Sequence, residues 1–177
     1  MRILLVSDTH GDPRGLAAVL SKLGRSVQML VHLGDGASDV EAAASSGVPM
    51  PPWYAVRGNV DGDWSVPASR ILWAYDRKIL AVHGHTQLGG NSYRPLVQAA
   101  KHEGADACFF GHTHVPFWDL VSGVLLVNPG SLSRPRSRYG PSFAVVEAPP
   151  SSMGAYDVKM FELAGSLSRP RFLAIRP

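Results

Sequence analysis

Along the first two thirds of the chain, short unbroken apolar runs alternate with stretches in which apolar residues recur every three or four positions. "RILLV" (2–6) is a run of the first kind and reads as a strand buried on both faces. In "GDPRGLAAVLSKLG" (11–24), Leu16, Val19, Leu20 and Leu23 fall at i, i+3, i+4 and i+7, and this spacing predicts a helix. Asp12 suits its N-cap, Pro13 its first position and Gly24 its exit, so "SDTHG" becomes the joint of a βα unit. The unit repeats: "QMLVHL" (28–33) predicts a strand, and "GDGASDVEAAASSG" (34–47) a helix capped by Ser38 or Asp39 and ending near Gly47. "WYAVRGN" (53–59) predicts a third strand. "RILWAY" (70–75) and "KILAVHG" (78–84) predict an antiparallel pair across a short turn, followed by a loop and a helix over "RPLVQAAKHEG" (94–104). "ADACFFGHTH" (105–114) predicts a buried strand that runs straight into a histidine pair.

Beyond that pair the pattern is all β: "PFWDLV", "VLLVNPGS", "SFAVVEA" and "YDVKMFEL", split by turn residues. Alternating βα units followed by strands argue for an α/β fold of two packed mixed sheets flanked by helices, a four-layer α-β-β-α sandwich. A chain of 177 residues is expected to form one domain over 1–177, with 165–177 as a C-terminal tail and "APPSSMGA" (148–155) as a flexible loop. The string "GSLSRPR" occurs at 130–136 and again at 165–171, a repeat too short to be architectural.

Composition narrows the class. At 45% hydrophobic and 18% charged residues the chain folds by burial rather than remaining disordered. The sole cysteine, Cys108, lies in an apolar run, which points to a core thiol and a reducing compartment. No stretch approaches the roughly 18 apolar residues of a membrane span, so a cytoplasmic protein without a membrane partner is expected. A formal net charge of +3 is too small to imply nucleic acid as a partner. Arg134, Arg136 and Arg138 nevertheless crowd "SRPRSR" and could form a rim that attracts phosphate.

The chemistry gathers where the strands stop. Asp8 and His10 follow the first predicted strand, Asp35 the second, Asn59 the third, His83 the fifth, and His112 and His114 the sixth. Ligands of layered α/β folds bind at the carboxyl ends of strands, so these groups can converge on one site. Each alone has a plain structural reading as a cap or turn residue, and His32 and His102, inside a strand and on a helix, are read that way. "RGNVDGDW" (57–64) also looks like the opening of a calcium loop. Counted from Asn59, however, the sixth position is Trp64 rather than Gly and the twelfth is Arg70 rather than Glu, which excludes it.

Taken in order, "DTH", "GD", "GN", "HGH" and "GHTH" resemble the signature of the calcineurin-like metallophosphoesterases. The small size, the "GN-x-D" variant and the "NPGS" loop (128–131) are similar to the YfcE-like bacterial and archaeal phosphodiesterase branch. The resemblance implies two divalent transition metal ions, manganese first and iron, zinc or nickel as alternatives. Asp8, His10 and His114 would hold one, Asn59, His83 and His112 the other, and the Asp35 carboxylate would bridge them. It further implies hydrolysis of a phosphate ester, most readily a phosphodiester, by a metal-bridging hydroxide, with Asp35 and Asn59 in catalytic roles.

One departure stands out. Many members of the superfamily it resembles have a histidine directly after the motif asparagine, and this chain has Val60, which cannot donate a proton. Asp61 and His85 are the candidates to replace it, Asp61 alternatively as a brace for a ligand. Asn59, His85, Ser131 and Arg134 are expected to contact substrate. Two other readings stay open at this level: a nuclease or cyclic-nucleotide phosphodiesterase, with nucleic acid only as a substrate, and a non-catalytic scaffold of the same fold. A homo-oligomer is compatible with the apolar strands.

Overall fold

In the computed structural model, which describes residues 1–89, 92–151 and 154–177, the apolar runs stack into two sheets. The first holds β1 (Arg2–Val6), β2 (Met29–His32), β3 (Trp53–Ala55), β9 (Ser142–Glu147), β10 (Asp157–Ser166) and β11 (Arg169–Ile175), in the order β11-β10-β9-β1-β2-β3. The second holds β4 (Ser69–Ala74), β5 (Arg77–Val82), β6 (Ala107–Phe109), β7 (Pro116–Val121) and β8 (Val124–Pro129), in the order β4-β5-β6-β8-β7. Both are mixed: β1, β2 and β3 run parallel in one, β5, β6 and β8 in the other, and antiparallel strands complete each sheet.

The unbroken apolar runs have a simple cause, since a strand between two covered faces must be apolar at every position. In β1, Ile3 and Leu5 point between the sheets, while Leu4 and Val6 point under the helices α1 (Arg14–Leu23) and α2 (Asp39–Ser45). In β8, Leu125 and Val127 face the first sheet, while Val124 and Leu126 face α3 (Arg94–His102). Helix, sheet, sheet, helix is thus the order of layers. Cys108 is fully buried on the α3 side, and burial pushes its thiol up to about 12, so it is a core thiol rather than a nucleophile.

Four expectations shift. Pro13 is the N-cap of α1 and Arg14 its first residue, one position later than predicted, and Asp12 accepts hydrogen bonds from the Arg14 backbone and side chain. Ser38 caps α2 by backbone position alone, without a side-chain hydrogen bond. The third strand stops at Ala55, so Val56 to Asn59 run as irregular backbone into the site. Residues 165–177, expected as a tail, instead supply β11, which pairs with β10 from Met160↔Ile175 to Ser166↔Arg169. Three exposed arginines in this segment hide its strand pattern, because an edge strand needs burial on only one face. The expected loop at 148–155 includes residues 152 and 153, and the loop before α3 includes 90 and 91, all outside the described residues. Among the described residues, no helix is long and apolar enough to cross a membrane.

Phe172 of β11 meets Phe143 edge-on at 4.9 Å, and Phe161 stacks on Phe143 at 5.4 Å. Phe172→Ala should therefore cost about 2 kcal/mol in urea unfolding, since a partly buried ring is lost from an aromatic cluster. A change within error would mean that β11 does not support the first sheet.

Candidate functional site

The parallel strands of both sheets end at one edge of the sandwich, and the loops that leave them interlock. Asp8 N–H donates to the Gly34 carbonyl at 3.0 Å, His10 N–H to that of Asp35 at 2.9 Å, and Gly111 N–H to that of His83 at 2.9 Å. Across the sheets, His112 N–H donates to Asp8 Oδ2 at 3.1 Å. The turns are tight enough to force unusual backbone. Among the described residues, seven non-glycine residues have positive φ, and five of them are Asp8, His10, Asp35, His112 and His114. Strain of this kind persists only where surrounding structure imposes it, and it concentrates at functional sites.

All seven predicted ligand positions come together here. His114 Nε2 lies 3.1 Å from Asp8 Oδ1 and 3.2 Å from His10 Nε2. Asp35 Oδ2 stands between two groups, 4.0 Å from His10 Nε2 and 3.5 Å from His83 Nε2. Asn59 Oδ1 is 3.1 Å from both His83 Nε2 and His112 Nδ1. Asp8, His10 and His114 form one set of potential metal ligands, and Asp8, Asp35 and His83 form another, so Asp8 adjoins both halves of the site.

Backbone carbonyls decide what two of these rings present. His83 Nδ1 donates to the Leu33 carbonyl at 2.7 Å and His114 Nδ1 to that of Arg134 at 2.6 Å, because a carbonyl can only accept. In the neutral rings, each Nε2 then turns a lone pair toward carboxylate, carboxamide or imidazole atoms that also carry lone pairs. Asp8 Oδ1 is buried without a hydrogen-bond partner among the described residues. Only a proton or a cation reconciles such a cluster, and the donor set of imidazoles, carboxylates and one carboxamide, without thiolate, fits a borderline divalent transition metal.

The titration behaviour agrees. Burial lowers the pKa of His83, but its hydrogen bond to Asp35 and the charge of Asp8 outweigh that and leave it raised. For His114, burial is likewise outweighed by Asp8 and the Arg134 carbonyl. His10 and His112 stay lowered, chiefly by burial. The Asp35 carboxyl is held down at about 2: burial opposes this, but the His83 hydrogen bond, the Val60 N–H and the charges of His83 and His10 prevail.

The other predicted residues separate into contacts and braces. Asp61 Oδ2 accepts from the backbone N–H of Asp35 (2.9 Å) and Gly58 (2.8 Å), and its Oδ1 from Gly36 (2.8 Å) and Ala37 (3.2 Å). Both oxygens are thus occupied, so Asp61 is not free to act as the acid missing at Val60 and braces the Asp35 turn instead. Ser131, expected against substrate, is fully buried; it donates to the Asp8 carbonyl at 2.8 Å and accepts from Arg134 N–H at 2.8 Å. Arg134 and Arg136 do line the cavity over the site, of about 600 Å³, with His10, Asn59, Val60 and His112. Arg138 instead donates to the Tyr139 hydroxyl. The His85 ring sits 5.5 Å from His83 and 6.2 Å from His112, with Nδ1 buried and unpartnered among the described residues.

Two features escape the sequence pattern. Gly58 is required by close approach rather than by a bend, because a β-carbon there would collide with the carboxylate and amide nitrogen of Asp35. His32, read as structural, belongs to a buried relay: Gly34 N–H donates to its Nδ1 at 3.2 Å, so its Nε2–H faces Thr9 Oγ1 at 3.0 Å, and Thr9 donates to Asp39 Oδ2 at 2.5 Å. Asp39 also accepts from Gly11 N–H at 2.9 Å, so the relay clasps the turn that carries His10. Thr9, wedged between two candidate ligands, is the letter of "DTH" that signals it.

Residues 1–149 match the family model described as the calcineurin-like phosphoesterase superfamily domain. The chain is 30% identical over 166 residues to the probable metallophosphoesterase YsnB of Bacillus subtilis, covering 94% of each protein. It is 27% identical over 169 residues to phosphodiesterase YfcE of Escherichia coli, covering 83% of this chain and 88% of that one. A crystal structure from Streptococcus pneumoniae, described as a predicted phosphoesterase, superposes with a TM-score of 0.76 at 25% identity, covering 98% of this chain and 97% of that one.

Asp61→Ala strands four backbone donors and should destabilise the metal-free protein by about 2–3 kcal/mol in chemical denaturation. An effect below 0.5 kcal/mol would remove Asp61 from its bracing role. Burial pushes the His32 pKa down from 6.5 to about 4. The unfolded chain takes up a proton near pH 6.5 that the folded chain refuses until about pH 4, so this contribution is present above pH 6.5, falls as pH drops through the window and levels off below it. The stability of metal-free wild type relative to His32→Gln should therefore fall by on the order of 3 kcal/mol between pH 7 and pH 4, and parallel profiles would exclude it.

Proposed function

The chain belongs to the calcineurin-like phosphoesterase superfamily, and from that premise we propose that it is a binuclear metal-dependent phosphodiesterase. The observation that carries this reading is the cluster of facing lone pairs, with the His83 and His114 tautomers set by backbone carbonyls and Asp8 Oδ1 without a hydrogen-bond partner among the described residues. Asp8, His10 and His114 would hold one cation and Asn59, His83 and His112 the other, with Asp35, within 4.0 Å of rings from both sets, placed to serve both groups. Manganese is the first candidate, with iron, zinc and nickel as alternatives. Two dications supply an activated water and charge neutralisation at the phosphoryl oxygens.

The chain's own residues do the rest. With only two carboxylates among its ligands, the metal-loaded site would be net positive, and Arg134 and Arg136 on the cavity wall extend that charge toward an incoming phosphate anion. Asn59 contributes a neutral oxygen, so it adds no charge that would weaken this attraction. His85 is proposed to meet the phosphate or leaving group from the His83–His112 side, through a ring whose pKa is lowered by burial and then by His83. Val60, 58% exposed at the cavity, offers no proton, which favours diesters with good leaving groups. A cytoplasmic setting accompanies the proposal, supported by a lone, fully buried cysteine.

The test is hydrolysis of bis(p-nitrophenyl) phosphate after reconstitution with Mn²⁺, alongside metal analysis. Two ions per chain and turnover are expected, with Asp35→Ala and His112→Ala each lowering kcat/KM by at least about a thousandfold. Fewer than one ion per chain together with no turnover would leave a non-catalytic scaffold as the reading.

A further inference from the structure

Each half of the ligand cluster has one ring that a backbone carbonyl holds from behind, His83 by Leu33 and His114 by Arg134. His10 has no such support. Its Nε2 faces His114 at 3.2 Å, its ring makes no other hydrogen bond among the described residues, and its backbone is left-handed at a φ of 48°. Whatever aims this ring has to act through the loop that carries it.

The Asp35 carbonyl takes the His10 N–H, and one oxygen of Asp39 takes both of its neighbours: Asp39 Oδ2 accepts from Thr9 Oγ1 at 2.5 Å and from Gly11 N–H at 2.9 Å. That oxygen brackets His10. Asp39 is buried, at 5% exposed, and forms an ion pair with no cation among the described residues. A buried carboxylate without a counter-ion is costly to fold, so the groups it binds matter more to this protein than the burial they forgo. The surroundings are shaped to admit it. A β-carbon at Gly36 would fall on both Thr9 Oγ1 and Asp39 Oδ2, and His32 Nε2 meets the far side of the Thr9 hydroxyl at 3.0 Å. The Asp35 turn has its own brace in Asp61, so the two ends of the cluster are held by different carboxylates.

Resting on the two-metal reading above, we propose that Asp39, acting through Thr9 and Gly11, is the positioning residue for His10 and thereby sets the affinity of the Asp8–His10–His114 half of the site for its cation, leaving the Asn59–His83–His112 half untouched. The Thr9 hydroxyl is the link in this arrangement, since it receives from His32 on one side and gives to Asp39 on the other. A ligand ring that its own hydrogen bonds do not fix depends on its backbone, and groups that orient ligands in this way are worth about 10–100-fold in metal affinity. The two cations should accordingly be separable by substitutions that touch neither.

The test is calorimetric titration of the metal-free full chain with Mn²⁺, in two backgrounds that each keep one half of the site. In a His112→Ala protein, whose intact half is Asp8–His10–His114, adding Asp39→Ala should weaken Mn²⁺ binding about 10–100-fold. In a His10→Ala protein, which keeps the other half, the same change should shift binding by less than about threefold. Thr9→Val keeps the volume and removes only the hydroxyl, so it should show the same selectivity without stranding the Gly11 N–H, and it serves where Asp39→Ala fails to fold. Asp39→Asn retains an acceptor oxygen and should recover most of the lost affinity. Unchanged affinity in the His112→Ala background for both Asp39→Ala and Thr9→Val would overturn the proposal. So would equal losses in the two backgrounds, which would mark Asp39 as a general support of the fold. Fewer than two Mn²⁺ bound per chain by wild type would instead overturn the two-metal reading itself.

Discussion

Facing lone pairs are the constraint on which the rest of this structure depends. Two buried carboxylates, four imidazoles and a carboxamide aim electron-rich atoms at one another from loops of both sheets, at separations of 3.1–4.0 Å. Left to itself such a cluster would spread apart or draw water between its members. It stays together because backbone groups hold it from behind: the Leu33 and Arg134 carbonyls orient two rings, and Val60 and His112 N–H groups hold Asp35 and Asp8.

Holding it requires backbone that ordinary residues avoid. Left-handed φ at five candidate ligands is tolerable because each strained turn is over-determined by neighbours that have no ligand role. Asp61 collects four N–H groups around the Asp35 turn, the His32–Thr9–Asp39 relay clasps the His10 turn, and Asn128 donates from Nδ2 to the Gly111 carbonyl at 2.7 Å beneath the paired histidines. The sandwich supplies the rigidity. Its central strands β1, β2, β6 and β8 are buried on both faces, so the strand ends cannot shift relative to one another without opening one of three apolar layers.

The same geometry separates binding from selection. Residues behind the cluster are spent on position, which leaves the cavity wall to a few side chains with no structural duty: Val60, Arg134 and Arg136. A fold of this kind hosts different chemistry by changing such positions without touching the core.

Apolar period alone determined most of the architecture. Runs without polar interruption could only be strands covered on both sides, and the spacing at Leu16, Val19, Leu20 and Leu23 could only be one face of a helix. The seven candidate ligands were legible for the same reason, since a fold that ends its strands at one edge must bring together whatever follows them. The C-terminal strand was not legible, because an edge strand carries exposed arginines and loses the alternation that marks burial. Nor were the roles of Asp61, Ser131, Gly58 and His32. Each depends on which atom of a distant loop lies within hydrogen-bond reach or collision distance, and a one-dimensional pattern carries no record of that. The chain by itself determined which chemistry would gather, and only the tertiary structure decided which polar residues face the cavity and which hold the others still.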